Sequence, residues 1–132
     1  MNTVNSKKLY TTFPKIFRQK DLSITQTCMS WGFDCGDGWY DLIYKLCEDI
    51  QEHCNKKGLQ TEAVQVKEKY GGLCFYVSSA DDYIFKLISK AENKSYKICE
   101  TCGSKDGVTQ TNGWVITLCS KCMKAYKEKR GF

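Results

Sequence analysis

From Trp39 onward the apolar positions Trp39, Leu42, Ile43, Leu46, Cys47, Ile50 and Cys54 recur three and four residues apart, the spacing that lines one face of an α-helix. Lys56-Lys57-Gly58 follows as a stop signal, because cations suit the negative end of a helix and glycine takes the left-handed conformation that closes it. The period then changes to two. Val64-Gln-Val66-Lys-Glu-Lys-Tyr70 and Leu73-Cys-Phe75-Tyr-Val77 alternate as strands do, and Gly71-Gly72 between them predicts a two-residue hairpin turn. That turn pairs Tyr70 with Leu73 and sets Glu68 opposite Phe75, on the apolar face with Val64, Val66 and Val77. Ser79 and Asp81 stand where they can cap a second amphipathic helix, which carries Tyr83, Ile84, Leu87, Ile88 and Ala91 and runs to the neighbourhood of Lys94. Ahead of all this, residues 6–28 mix Tyr10, Phe13, Ile16, Phe17 and Leu22 with lysines, so the lead-in is expected to pack on the body.

The strongest chemical signal lies beyond these elements. Cys99-Glu-Thr-Cys102 and Cys119-Ser-Lys-Cys122 are two Cys-x-x-Cys pairs separated by sixteen residues. Each pair turns both thiolates onto one ion, and together they supply the soft ligands of a closed tetrahedral zinc shell. Such a shell keeps no open position, so the one Zn²⁺ expected here is structural and activates no water. A redox role is the weaker alternative, since neither pair follows a strand of a βαβ unit. The order is a Cys99–Gly103 knuckle, a hairpin around Asn112-Gly113 pairing 108–111 with 114–118, then a basic terminal helix. It is the order of a treble-clef or zinc-ribbon finger. The expected architecture is α+β: a helix, β-hairpin, helix body with packed lead-in over 1–96, and a four-cysteine zinc module over 97–132.

Composition changes this picture little. With 132 residues, 42% hydrophobic and 27% charged, the chain is sized for one domain plus a small module that gains from a metal staple. Nine cysteines would suit a secreted disulfide scaffold, but Met1–Tyr10 has no apolar h-region, and a reducing cytoplasm is expected instead. No stretch reaches bilayer-spanning length, so neither a membrane segment nor a membrane partner is expected. The formal charge of +5 falls to about +3 once four thiolates surround one Zn²⁺, a mild basicity that permits nucleic-acid binding without demanding it.

Three regions carry candidate binding chemistry. In Trp31-Gly-Phe33-Asp34-Cys-Gly-Asp37-Gly-Trp39 the glycines allow close approach and the rings offer stacking, as in a pocket for a base or another planar group. The alternative is that Asp37 caps the following helix while Trp31 and Trp39 anchor the loop. A phosphate at that helix start is disfavoured, because Asp34, Asp37 and Asp41 already occupy its electropositive end. On the hairpin, Glu68 on an apolar face needs a partner, a ligand or an exposed end, while Lys67 and Lys69 on the other face make a small basic and aromatic surface with Tyr76, and Tyr70 at the turn is a further ligand-binding candidate. On the terminal helix, Lys121, Lys124, Lys127 and Arg130 could follow a nucleic-acid backbone, although cations near a helix C-terminus are favoured by the dipole alone.

Cys47 and Cys54 read as buried apolar residues, and a second metal site from Cys28, Cys35 or His53 lacks close-paired spacing. The chain has no P-loop, no deaminase His-x-Glu and no nucleophile elbow. An enzyme reading therefore rests on Glu68 with Asp34 or Asp37 as acid and base or as ligands for a hard cation.

Trp31-Gly-Phe-Asp-Cys-Gly-Asp-Gly-Trp-Tyr-Asp-Leu-Ile43, Gln65-Val-Lys-Glu-Lys-Tyr-Gly-Gly-Leu-Cys-Phe-Tyr-Val77, Ala91-Glu-Asn-Lys-Ser95 and the cysteine pairs together resemble a family of small, largely uncharacterised proteins of phages and bacteria. The resemblance spans Trp31 to Cys122. It implies an arginine at the place of Cys74 in many relatives and a histidine in some at the place of Cys122. Phage proteins of this size commonly act by binding, so the first expectation is a non-catalytic protein that binds or sequesters a small anionic, nucleotide-like ligand or a host protein in the host cytoplasm. Counter-defence is one specific form of it. A nucleic-acid-binding zinc finger and a carboxylate-dependent enzyme are the alternatives.

Overall fold

The computed structural model describes residues 1–23 and 25–131. Helix α1, Thr3–Thr12, starts at Asn2, whose side chain accepts the Asn5 N–H at 2.7 Å, and ends at Phe13 because Pro14 disfavours helical backbone in the residue before it. Past 3₁₀ turns at Arg18–Asp21 and Cys28–Trp31 comes a two-residue strand, β1, Phe33–Asp34. A third 3₁₀ turn, Asp37–Trp39, leads into α2, Tyr40–Lys57, which closes on Gly58 at φ +69°. Strands β2, Glu62–Lys69, and β3, Gly72–Ser78, form the hairpin, and α3, Asp82–Ser95, begins at Asp81, whose carboxylate accepts the Ile84 N–H at 3.0 Å. Strands β4, Thr109–Gln110, and β5, Thr117–Leu118, and helix α4, Ser120–Lys129, complete an α+β protein.

The body sheet runs β1-β2-β3, with β1 parallel to β2 and β2 antiparallel to β3. The expected hairpin thus gains a parallel edge strand, and α2 becomes the crossover that parallel pairing requires. The α2 stripe Ile43, Leu46, Cys47, Ile50 and Cys54 is buried as its period predicts. It joins Leu9, Ile16, Phe17, Met29, Trp39, Val66, Leu73 and Ile84 in one core, each large side chain contributing about 2 kcal/mol of transfer free energy. Phe17 centres an aromatic group, with Tyr10, Phe33 and Phe75 at ring separations of 5.6, 5.1 and 6.4 Å. The lead-in is therefore part of the core.

The hairpin turns one residue earlier than expected, which moves every cross-strand partner by two and keeps the faces. Its turn is Tyr70-Gly71, at φ +53° and +84°, so Lys69 pairs with Gly72, Glu68 with Leu73 and Val66 with Phe75. Gly72 is extended as the first residue of β3, and its missing side chain makes room for Tyr96: a Cβ there would lie 2.5 Å from that ring. A bulge between Ala63 and Gln65 then turns Ala63 and Val66 inward and leaves Val64 half-buried. The second hairpin also departs from expectation. Its paired strands are only two residues each, and Thr111 and Ile116 bracket a four-residue loop, in which Thr111 Oγ1 donates to the Trp114 carbonyl at 2.6 Å, in place of a two-residue Asn-Gly turn. Cys99, Leu118 and Cys119 form a separate small core under Val108, Ile116, Met123 and Tyr126. Among the described residues, no helix is long and apolar enough to cross a membrane.

Candidate metal centre and the surface it positions

Cys99, Cys102, Cys119 and Cys122 present Sγ atoms that all lie within 4.8 Å of one another. The Cys102 and Cys119 sulfurs are 3.7 Å apart, and the edge of a tetrahedron with metal–sulfur bonds of about 2.3 Å is about 3.8 Å. Local backbone builds each half. In the first, the Gly103 N–H returns to the Cys99 carbonyl at 2.9 Å, with Gly103 at φ +82°; in the second, Cys119 is the N-cap of α4, its sulfur accepting the Cys122 N–H at 3.4 Å.

The four thiols are not equivalent. Burial raises the Cys99 thiol, but the backbone N–H groups of Cys119, Cys102 and Thr101 outweigh it and hold the group at about 7. Cys122, half-buried and hydrogen-bonded to the other three sulfurs, is pushed up to about 12 by partial burial and those bonds. Metal ions bind the thiolate form, so an ion between the four sulfurs would favour their ionisation. Among the described residues this is the one group of three or more His, Cys, Asp or Glu side chains close enough to hold a metal ion. An all-sulfur tetrahedron fits a structural zinc ion.

The glycine loop predicted as a ligand pocket is the seat of this centre. Gly38 donates its N–H to the Glu100 carbonyl at 2.8 Å, Gly36 donates to the Glu100 carboxylate at 2.9 Å, and the Trp39 indole donates to the Ile98 carbonyl at 3.0 Å. A Cβ on Gly36 would stand 2.3 Å from the Glu100 oxygen, and one on Gly38 2.0 Å from the Cys99 oxygen. Burial raises the Glu100 carboxyl, the Gly36 N–H pulls it back, and Glu68 and Asp34 push it up again. Phe33 and Trp39 are buried, Phe33 stacking on Tyr10 at 5.3 Å, so neither offers a free face. Asp37 does not cap α2; it accepts the Asn2 N–H at 2.8 Å and the Asn5 side-chain amide at 3.2 Å, tying α1 to the loop. Trp31 stands apart and exposed, and Asp34 is exposed beside Lys67 in the sheet register.

The hairpin candidates do come together, joined by Trp114, a residue expected within a strand. Lys67, Glu68, Lys69 and Tyr70 line a cleft of about 320 Å³ whose far wall is Gly113-Trp114-Val115. Tyr70 and Trp114 are 76% and 78% exposed, an unusual pair of bare rings for one small cleft. The small module is fastened there: Thr117 Oγ1 donates to the Gly71 carbonyl and the Gln110 amide to the Tyr96 carbonyl at 3.0 Å, while inside the module the Glu100 N–H donates to the Thr117 carbonyl at 3.0 Å. Glu68 is explained without a ligand, since its carboxylate accepts the Gly71 N–H at 2.7 Å and closes the turn.

Trp114 is shared with a second cleft of about 700 Å³, where Tyr126 and Lys127 of α4 and Arg130 at its C-cap face Thr109 and Thr111. Met123, Tyr126, Lys127 and Arg130 are spaced as one helical face. Lys121 and Lys124, predicted with them, are exposed but line neither cleft. The signal that would have found Trp114 was a tryptophan beside Asn-Gly, at a loop tip where burial is hard to achieve. Comparison of the chain with protein-family models, curated proteins and solved structures finds no match.

Proposed function

We propose that this chain is a non-catalytic, zinc-folded binding protein that takes a nucleotide-like anionic ligand in the cleft between the β2–β3 turn and the 112–115 loop. The observation that carries the reading is the pairing of two exposed rings, Tyr70 and Trp114, with Lys67 and Lys69 in one cleft. Rings in that setting stack a base, and ammonium groups neutralise phosphate. Zinc is assigned by its chemistry: four thiolates at tetrahedral spacing, with no position left for substrate or water. Its role is to hold β4, β5 and α4 against the hairpin, so that Trp114 faces Tyr70. Glu68 and Asp37 make structural hydrogen bonds, which disfavours the enzyme reading.

Sequestration of a host nucleotide, in the manner of phage counter-defence, is the biological form of this reading that the family resemblance favours. The test is a tryptophan-fluorescence titration of the zinc-loaded protein with nucleoside mono-, di- and triphosphates. Quenching that saturates, survives Trp31→Phe and is lost in Trp114→Phe and Tyr70→Ala is the expected result. No saturable quenching by any nucleotide or oligonucleotide would overturn the reading and shift weight to a protein partner.

A further inference from the structure

The two clefts meet at Trp114, and the single-nucleotide reading uses only one of them. Resting on the binding function proposed above, we infer that the ligand is a polymer: single-stranded nucleic acid running from the hairpin tip, across Trp114, onto α4. Each cleft carries its own cation and ring. Lys69 Nζ lies 5.9 Å from the centre of the Tyr70 ring, and the Arg130 guanidinium 5.1 Å from that of Tyr126. A mononucleotide has one base and one phosphate group, and fills one such station while leaving the other bare.

The charge distribution points the same way. Lys67 and Lys69 stand at one end and Lys127 and Arg130 at the other, with the exposed Trp114 between them. Cations gathered on one phosphate would converge; cations dispersed along a track match a chain of phosphates. Glu68, the carboxylate on this track, accepts the Gly71 N–H. Bare, flat rings also select the unpaired state, because bases in a duplex already stack on each other and present only their edges.

The experiment is fluorescence-anisotropy titration of the zinc-loaded full chain with labelled oligothymidylates of two to about ten residues, thymidine monophosphate serving as the unlabelled competitor. Affinity should rise with length and then level off. Lys127→Ala with Arg130→Ala should weaken the longer oligomers by roughly ten-fold and leave the monophosphate unchanged, whereas Trp114→Ala should weaken both. With four cations engaged, log affinity should fall against log salt with a slope of about −3, at about 0.7 per phosphate. Zinc content and circular dichroism equal to those of the parent establish that each variant is folded. Affinity independent of length, or a duplex of equal length binding as tightly, would overturn the polymer. Monophosphate binding without that length gain would leave the single-nucleotide function standing, and no binding of either probe would remove both.

Discussion

Gly38 donates its backbone N–H to the carbonyl of Glu100 at 2.8 Å, and at this contact the body and the cysteine module share a backbone-to-backbone seam. A Cβ on Gly38 would stand 2.0 Å from the Cys99 carbonyl oxygen, against backbone that cannot swing away as a side chain would. Gly38→Ala is expected to cost more than about 2 kcal/mol, as overpacking or as a separated seam. Gly58 is the control: it sits at φ +69° in open space, so alanine there meets only the left-handed backbone penalty of about 1 kcal/mol. Chemical denaturation of the two variants side by side measures the difference, and equal losses would refute the seam.

The metal should matter unevenly along the chain. Residues 99–129 have a core of three buried residues, two of them cysteines, while the body has its own larger core. Chelation, or Cys102→Ser, is expected to abolish amide protection in β5 and α4 and leave α2 protected. Hydrogen exchange read by mass spectrometry checks this. Nucleotide binding should disappear with the α4 protection, because Trp114 is held in place only through that module. Protection lost uniformly across α2 and α4 would show that the body also depends on the metal.

Asp81 supplies a pH-dependent contribution with a definite sign. Its carboxyl is held below the usual range first by the hydrogen bond with His53, at 2.7 Å, and then by the Ile84 N–H of α3. A depressed carboxyl stabilises the fold above its unfolded pKa, and that stabilisation is lost as pH falls through the folded value. Asp81→Asn keeps an acceptor at the cap but does not titrate. The stability difference between parent and variant should therefore shrink as pH is lowered from about 5 to about 3. Urea denaturation across that interval decides it; comparison at equal pH cancels the protonation of cysteine ligands. A constant difference would mean that the cap does not depend on ionisation.

How much of this was legible in sequence follows from the range of the forces involved. Helix α2 was legible because its apolar period runs unbroken to a glycine stop, and the cysteine centre because ligand spacing is local. The β2–β3 turn was misplaced by one residue since two glycines adjoin, and nothing local says that the second is glycine to make room for the ring of Tyr96, distant in sequence. In the loop from Gly36 to Trp39 the glycines suggested the close approach of a planar ligand. What approaches is the chain's own Cys99–Gly103 knuckle, which no local pattern identifies. The Tyr70–Trp114 cleft was hidden for the same reason: its walls come from two hairpins brought together by Thr117 and Gly71.

Glu68 separates a structural from a catalytic reading of the hairpin. Its carboxylate closes the Tyr70-Gly71 turn through the Gly71 N–H at 2.7 Å. Glutamine keeps an acceptor at that place, and alanine leaves the amide to water. Glu68→Gln is expected to be nearly neutral in stability, and Glu68→Ala to cost about 1 kcal/mol, the net worth of one hydrogen bond. Because the turn sets the position of Tyr70, nucleotide affinity should follow the same order, with Glu68→Gln close to the parent and Glu68→Ala weakened. An acid–base or cation-ligand role reverses the expectation for glutamine, which can neither titrate nor carry charge. Paired measurements of unfolding and binding on both variants tell the two apart: a stable Glu68→Gln protein that has lost its function would place the carboxylate in the chemistry.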